Sequence, residues 1–315
     1  MTPDPATPSF DVQAIRKDFP ILARRIDGKP LVYLDSGNTS QKPRQVINAM
    51  SDFLEQSYAP INRSSYRLAG EATEAYEGAR RAVAQFVNAR SADEIVFTKN
   101  ATESMNLITQ AWGRANLTAG DVVVLTHMEH HANIVPWQQL AAERGIEIRW
   151  VPLTDDGRLD LTDLPRLLDG AKAFSFTAMS NVLGTLPPVA QLCRAAHDAG
   201  ALAIVDACQY VPHNVTDVQA WDADLVAFSS HKMCGPSGIG MLWGRMELLD
   251  EMPPFLGGGN MIDTVTLDGF TTAPVPAKFE AGTPPIAEAV GLHAAVEFLQ
   301  AIGMDEVRRH EMEVT

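Results

Sequence analysis

From Glu94 onward, short and nearly unbroken apolar runs alternate with stretches of helical spacing. EIVFT (94–98), DVVVLT (121–126), IEIRWVP (146–152), AKAFSFTA (171–178), ALAIVD (201–206), DLVAFS (224–229) and GIGMLW (238–243) read as strands. Residues 102–112, 133–144, 161–168 and 188–199 carry helical periodicity between them. Strands that are apolar on both faces, separated by amphipathic helices, predict an α/β fold with a mostly parallel central sheet and helices on both faces. The last two strands have too short a connection for a crossover helix, so an antiparallel pair is expected there. Upstream, the pattern predicts a short helix near 11–18, a strand in LVYLDSG (31–37), and helices over 43–56 and 72–88. Downstream, 253–285 is rich in Gly and Pro and reads as a long ordered loop or partner-contact segment. A helix over 286–302 and a charged helical stretch follow. The proline-rich residues 1–9 are expected to be disordered.

Composition narrows the classes. The chain has 315 residues, 46% of them hydrophobic, which is enough for a sizeable core and excludes general disorder. Its length suggests about two domains. The reading is an N-terminal segment (1–30), a large cofactor-binding domain (31–298), and the start of a C-terminal small domain (299–315) whose remainder is expected beyond Thr315. A net charge of −14 argues against a nucleic-acid partner and against a polybasic membrane surface. Three cysteines without a close pair suit a reducing compartment. No basic n-region precedes an apolar run at the N-terminus, and a cytoplasmic location is expected.

Open parallel sheets bind ligands at the carboxyl ends of their strands. After EIVFT, Asn100 followed by Glu103 signals a helix start, whose free N–H groups and the Thr102 hydroxyl suit a phosphate. After DVVVLT come His130 and His131. Adjacent histidines point in different directions, so no metal site is expected, but an imidazole can stack on a flat ligand. After ALAIVD stands Asp206, a carboxylate that is costly to bury unless a cation meets it. After DLVAFS comes Ser229-Ser230-His231-Lys232. Lysines are scarce, 7 against 18 arginines, yet Lys232 sits at the ligand edge of the sheet. A lysine, an acid, a flat group and a phosphate cradle are the partners that pyridoxal 5′-phosphate needs.

These residues resemble a known family. SSHKMCGPSGIG is similar to the lysine motif of class V aminotransferase-fold enzymes, which have the pyridoxal-phosphate-dependent transferase type I fold. LDSGNTSQKP, INARSADEIVFT, MEHHANIVPWQ, SNVLGT, DACQ, EMPPFLGGGNMI and FEAGTP further resemble group II cysteine desulfurases of the SUF iron–sulfur assembly system. The resemblance implies an enzyme that converts L-cysteine, or a related amino acid, to alanine plus an enzyme-bound persulfide. It implies that the catalytic residues are Lys232, which forms the Schiff base and shuttles protons, and His130, which stacks on the ring and acts in proton transfer. Asp206 would pair with the pyridine nitrogen and Gln209 with the ring's phenolic oxygen. Thr102, Ser229 and His231 would hold the phosphate, and Asn181 would contact substrate or ring oxygen. Thr283 would reach the phosphate of a neighbouring subunit, with the 257–262 segment bordering that site, which implies a homodimer. A sulfur-acceptor protein of the SUF system is the expected macromolecular partner.

The chain departs from the family pattern on the substrate side. Asn62 and Tyr66 stand where two histidines are usual, Ala101 replaces a frequent threonine, and Asn38 a frequent alanine. The stretch with the sulfur-accepting cysteine and the carboxylate-binding arginine has no counterpart here. Cys193, Cys208 and Cys234 read instead as small packed residues. Negligible desulfurase turnover is therefore expected of this chain alone. Two other readings remain: a different class V enzyme (selenocysteine lyase, epimerase or kynureninase-like), or a non-catalytic paralogue.

Overall fold

A computed structural model describes residues 10–62 and 65–315, so residues 1–9 lie outside the described residues, as do two positions of the 61–70 segment. The first strands, β1 (Arg25–Ile26) and β2 (Lys29–Pro30), form a two-strand hairpin with no signal in the apolar pattern. The central sheet is built from β3 (Ile95–Thr98), β4 (Val122–Thr126), β5 (Glu147–Val151), β6 (Ala171–Thr177), β7 (Leu202–Asp206), β8 (Leu225–Ser229) and β9 (Gly240–Gly244). Its order is β3-β9-β8-β7-β6-β4-β5. Neighbours from β8 to β5 pair in parallel, while β9 runs antiparallel to both β8 and β3. The expected α/β architecture and the antiparallel final pair are both present.

Residues in each strand alternate between two cores, one on each face of the sheet. In β3, Ile95 and Phe97 join one core and Val96 the other. In β8, Val226 and Phe228 enter the first, Leu225 and Ala227 the second. This period of two puts Asp206 and Ser229 on the face covered by the helix beginning at Ala101, because Ile204 and Ala227 already lie there. That helix runs Ala101–Leu107, passes through a π-turn at Ile108–Gly113, and ends at Asn116.

Two expectations need correction. LVYLDSG is not a strand: it runs without a ladder partner, and Val32 and Leu34 are exposed. Its alternation is real, but no strand among the described residues offers it an edge. The 253–285 segment is not all loop, since β10 (Ile262–Val265) and β11 (Phe270–Thr272) pair as an antiparallel hairpin. The end of this segment is fastened by buried charge. Glu280 accepts from Arg80 Nη1 (2.6 Å), Arg80 Nη2 (2.9 Å), the Phe97 N–H (2.7 Å) and the Tyr76 hydroxyl (3.1 Å). Arg80 also donates to the Ile95 carbonyl at 2.7 Å. The helix Arg67–Phe86, strand β3 and the approach to Thr283 are thereby tied together.

A buried pair is costly to break from one side: without Glu280, Arg80 keeps Glu77 at 2.8 Å and the Ile95 carbonyl, while the buried Phe97 N–H and Tyr76 hydroxyl lose their acceptor. Glu280→Ala should lower the unfolding free energy by about 3–5 kcal/mol in urea titrations. A loss below about 1 kcal/mol, the value of a surface pair, would show that Arg80 finds solvent instead.

Candidate active site

A cavity of about 220 Å³ opens where the carboxyl ends of β3, β4, β6, β7 and β8 converge. At its base lies Asp206, 4% exposed, whose Oδ1 accepts the Cys208 N–H at 3.0 Å. No basic side chain pairs with it within salt-bridge distance among the described residues. Burial pushes its carboxyl up; the Cys208 N–H and the nearby His130 and Lys232 act in the opposite direction.

Lys232 closes a single 3₁₀ turn, Ser230–Lys232, directly after β8. The chain can fold back so tightly because position 235 is glycine: a Cβ there would sit 2.2 Å from Ser230 Oγ. The Lys232 side chain is half-buried, lines the cavity and makes no ion pair among the described residues. Its amine is therefore available to a ligand.

The anion cradle is the start of the helix at Ala101. Asn100 caps it, accepting the Glu103 N–H at 2.9 Å, while the Ala101 N–H donates to Ser229 Oγ at 2.8 Å. That leaves the Thr102 N–H and hydroxyl, both without a protein partner among the described residues, at the cavity wall. The helix start can approach β9 because residue 240 is glycine, where a Cβ would lie 2.4 Å from Asn100 Cα.

His130 Nδ1 accepts the Ala132 N–H at 3.1 Å, which places the ring proton on Nε2. Burial lowers its pKa, and Lys232 and His131 add to that, so the imidazole is neutral at pH 7 despite Asp206. Asn181, Gln209 and His231 also line the cavity. The Gln209 amide donates to the Gly37 carbonyl at 2.8 Å, which leaves one of its two N–H groups for a ligand. Thr283 is not brought together with the rest: it borders a second cavity of about 370 Å³ with Lys99, Glu103 and Leu256.

Glu129 escaped the sequence reading. It is buried, and its carboxyl group meets Thr126 Oγ1 (2.5 Å), the Thr177 N–H (2.9 Å) and Asn133 Nδ2 (2.6 Å). Asn133 Oδ1 in turn accepts from Ser175 Oγ (2.6 Å) and Trp137 Nε1 (3.3 Å), which fixes its amide toward Glu129. Glu129 thus sews the His130 loop to β6, next to Asp206. Burial outweighs the three hydrogen bonds and, with Asp206 adding its repulsion, pushes Glu129 up to about 8. The rule that singles out Asp206, a carboxylate just beyond a buried strand, also marks Glu129.

The residues fit pyridoxal phosphate on this structure's own terms. A buried carboxylate without a cation, an amine without a partner and unclaimed N–H and hydroxyl donors face one cavity of suitable size. Such equipment on an open α/β sheet defines an enzyme that works through a carbonyl cofactor. The family described as Aminotransferase class-V matches residues 32–315, and the chain belongs to it. It is 54% identical over 312 residues to the probable cysteine desulfurase of Streptomyces coelicolor, covering 97% of this chain and 75% of that one. Among solved structures it resembles the apo form of a cysteine desulfurase from Thermococcus onnurineus NA1, with TM-score 0.91, 38% identity, and coverage of 96% and 74%. It also resembles the cysteine desulfurase CsdA of Escherichia coli, with TM-score 0.85, 41% identity, and coverage of 93% and 73%.

Two buried acids with raised pKa values bind protons more readily folded than unfolded. Their contribution to the stability of the cofactor-free protein is present below about pH 4.5, where unfolded Glu ionises, and is lost as pH rises through about 8. Over that window the melting temperature of wild type should fall by about 5 °C relative to that of Glu129→Gln, as read by calorimetry. Parallel curves for the two proteins would mean that Glu129 is ionised throughout.

Proposed function

We propose that this chain is a pyridoxal 5′-phosphate-dependent cysteine desulfurase of the group II type, supplying sulfur for SUF-type iron–sulfur assembly. The observation that carries the reading is the meeting of a buried, cation-free Asp206 with an unpaired Lys232 in one cavity. The desulfurase relatives, at 38–54% identity, support L-cysteine as the substrate. Homodimerisation, a SUF sulfur acceptor and a cytoplasmic setting belong to the same proposal. Thr283, at a cavity apart from Lys232, suits a role in a partner subunit's site.

When bound, pyridoxal phosphate supplies an electron-withdrawing ring that stabilises negative charge at the substrate α-carbon. Asp206 holds the proton on the ring nitrogen, and its low-dielectric setting strengthens that contact. Lys232 holds the cofactor through its amine and moves a proton at the substrate α-carbon. Thr102, Ser229 and His231 take the phosphate. Neutral His130 would lie against the cofactor, and Gln209 and Asn181 would hold polar oxygens of cofactor or substrate.

Sulfur transfer also needs a thiolate. Burial pushes Cys193 up to about 12 and Cys208 and Cys234 up to about 11, so all three are thiols at neutral pH. Asp206 adds to the effect at Cys208. None of them is the sulfur acceptor in this reading.

Borohydride reduction of the loaded protein should fix the cofactor on Lys232, and Lys232→Ala should abolish the adduct. An adduct mapped by mass spectrometry to another lysine refutes the assignment. Cys208→Ser should leave whatever alanine formation the chain shows unchanged within about twofold, since a thiol of this kind is not a nucleophile. A loss of activity in that variant would restore Cys208 as the acceptor.

A further inference from the structure

The carbonyl of His231, the peptide unit leading into Lys232, is surrounded by donors from residues nearly two hundred positions earlier. It accepts from the Ser40 N–H (3.0 Å), Ser40 Oγ (3.0 Å), Thr39 Oγ1 (3.1 Å) and Lys42 Nζ (3.0 Å). A carbonyl has two lone pairs, so four donors oversubscribe it. The turn's own hydrogen bonds pass instead through Ser230, whose carbonyl accepts from the Met233 and Gly235 N–H groups. Ser40 Oγ also accepts the Cys234 N–H at 2.8 Å. Cys234 stands at φ 63°, a left-handed conformation that costs a non-glycine residue about 1–2 kcal/mol. One serine therefore grips the backbone on both sides of Lys232 and holds a strained residue in place.

Lys42 is unusual in the same way as Lys232. It is half-buried in a chain of net charge −14, yet it has no carboxylate partner among the described residues. Its ammonium meets two backbone carbonyls, Ser40 (2.5 Å) and His231 (3.0 Å).

We propose that Lys42, acting with Ser40, clamps the His231 carbonyl and thereby positions both Lys232 and His231 to receive the cofactor. Lys42 is a positioning residue, and the assignment rests on the reading of Lys232 given above. The same clamp selects the form of the His231 ring. With Ser40 and Lys42 satisfying the carbonyl, the Thr39 hydroxyl is free to donate to His231 Nδ1, 3.2 Å away. The ring proton then sits on Nε2, the donor an incoming phosphate requires. Burial, Lys232 and Lys42 all lower the His231 pKa, so the ring is neutral and its tautomer matters.

The test compares wild type with Lys42→Met, Lys42→Arg and Ser40→Ala, each purified with cofactor and then stripped of it. Amide exchange of peptides spanning 230–236 in the cofactor-free proteins should speed up about tenfold in Lys42→Met and Ser40→Ala, the loss of one charge-assisted or doubly used hydrogen bond. Peptides from β4 and β5, far along the sheet, should exchange as in wild type. Re-formation of the reducible link at Lys232 after adding pyridoxal phosphate should slow about tenfold, and Lys42→Arg should restore both readouts to within about threefold. Exchange that is unchanged at 230–236, or that rises equally across the sheet, overturns the clamp, as does linking at the wild-type rate in both variants. If Lys42→Met fails to fold, Ser40→Ala decides. A wild-type link at another lysine would fail the functional reading instead, while the exchange result judges the clamp without it.

Discussion

The organising constraint of this molecule is an ionisable carboxylate, Asp206, at the end of a strand buried on both faces. Taking a carboxylate out of water costs several kcal/mol even after the protein relaxes. Its one hydrogen bond among the described residues, from the Cys208 N–H, returns about 1.5–3 kcal/mol. The deficit is what a protonated ring nitrogen would remove. The site is thus paid for by ligand binding, not by folding, and its other parts are arranged to bring that ligand to Asp206.

Each part of the arrangement is local chemistry held by distant chain. The sheet order sets β7 and β8 side by side, so Asp206 and Ser229 share a face. Ser229 then holds the first N–H of the helix at Ala101, which leaves Thr102 unclaimed. Glu129 joins the His130 loop to β6, and the residue 39–42 segment fixes the turn that carries Lys232. The Arg80–Glu280 pair does the same for the approach to Thr283. Glu129 and Asp206 lie in one buried region, where Asp206 adds its repulsion to the burial that raises Glu129.

Much of this was legible in the chain. Apolar runs gave the seven central strands to within about two residues, because strands buried on both faces must be apolar throughout. The strand-end rule picked out Asp206, Gln209, Lys232, His130, Thr102, Ser229 and His231, and the family resemblance added Asn181; all eight line one cavity. Sequence reasoning failed where a long-range partner decides. Leu31–Leu34 alternates like a strand but finds no ladder, and β10 and β11 pair within a segment whose Gly and Pro content hides them. Glu129 stood where the strand-end rule could have found it, and only its contact with the β6 amide gives it meaning; Lys42 was passed over because its meaning lies wholly in the carbonyl before Lys232.

The central claim is that Asp206 burdens the free fold and is relieved by the cofactor. Asp206→Asn keeps the shape and the oxygen that accepts the Cys208 N–H but removes the charge. Calorimetry of the cofactor-free proteins at pH 8, with and without added pyridoxal phosphate, tests it directly. The account predicts that the variant melts above wild type when free and gains far less on adding cofactor. A variant that melts below wild type when free, or gains as much, would contradict it.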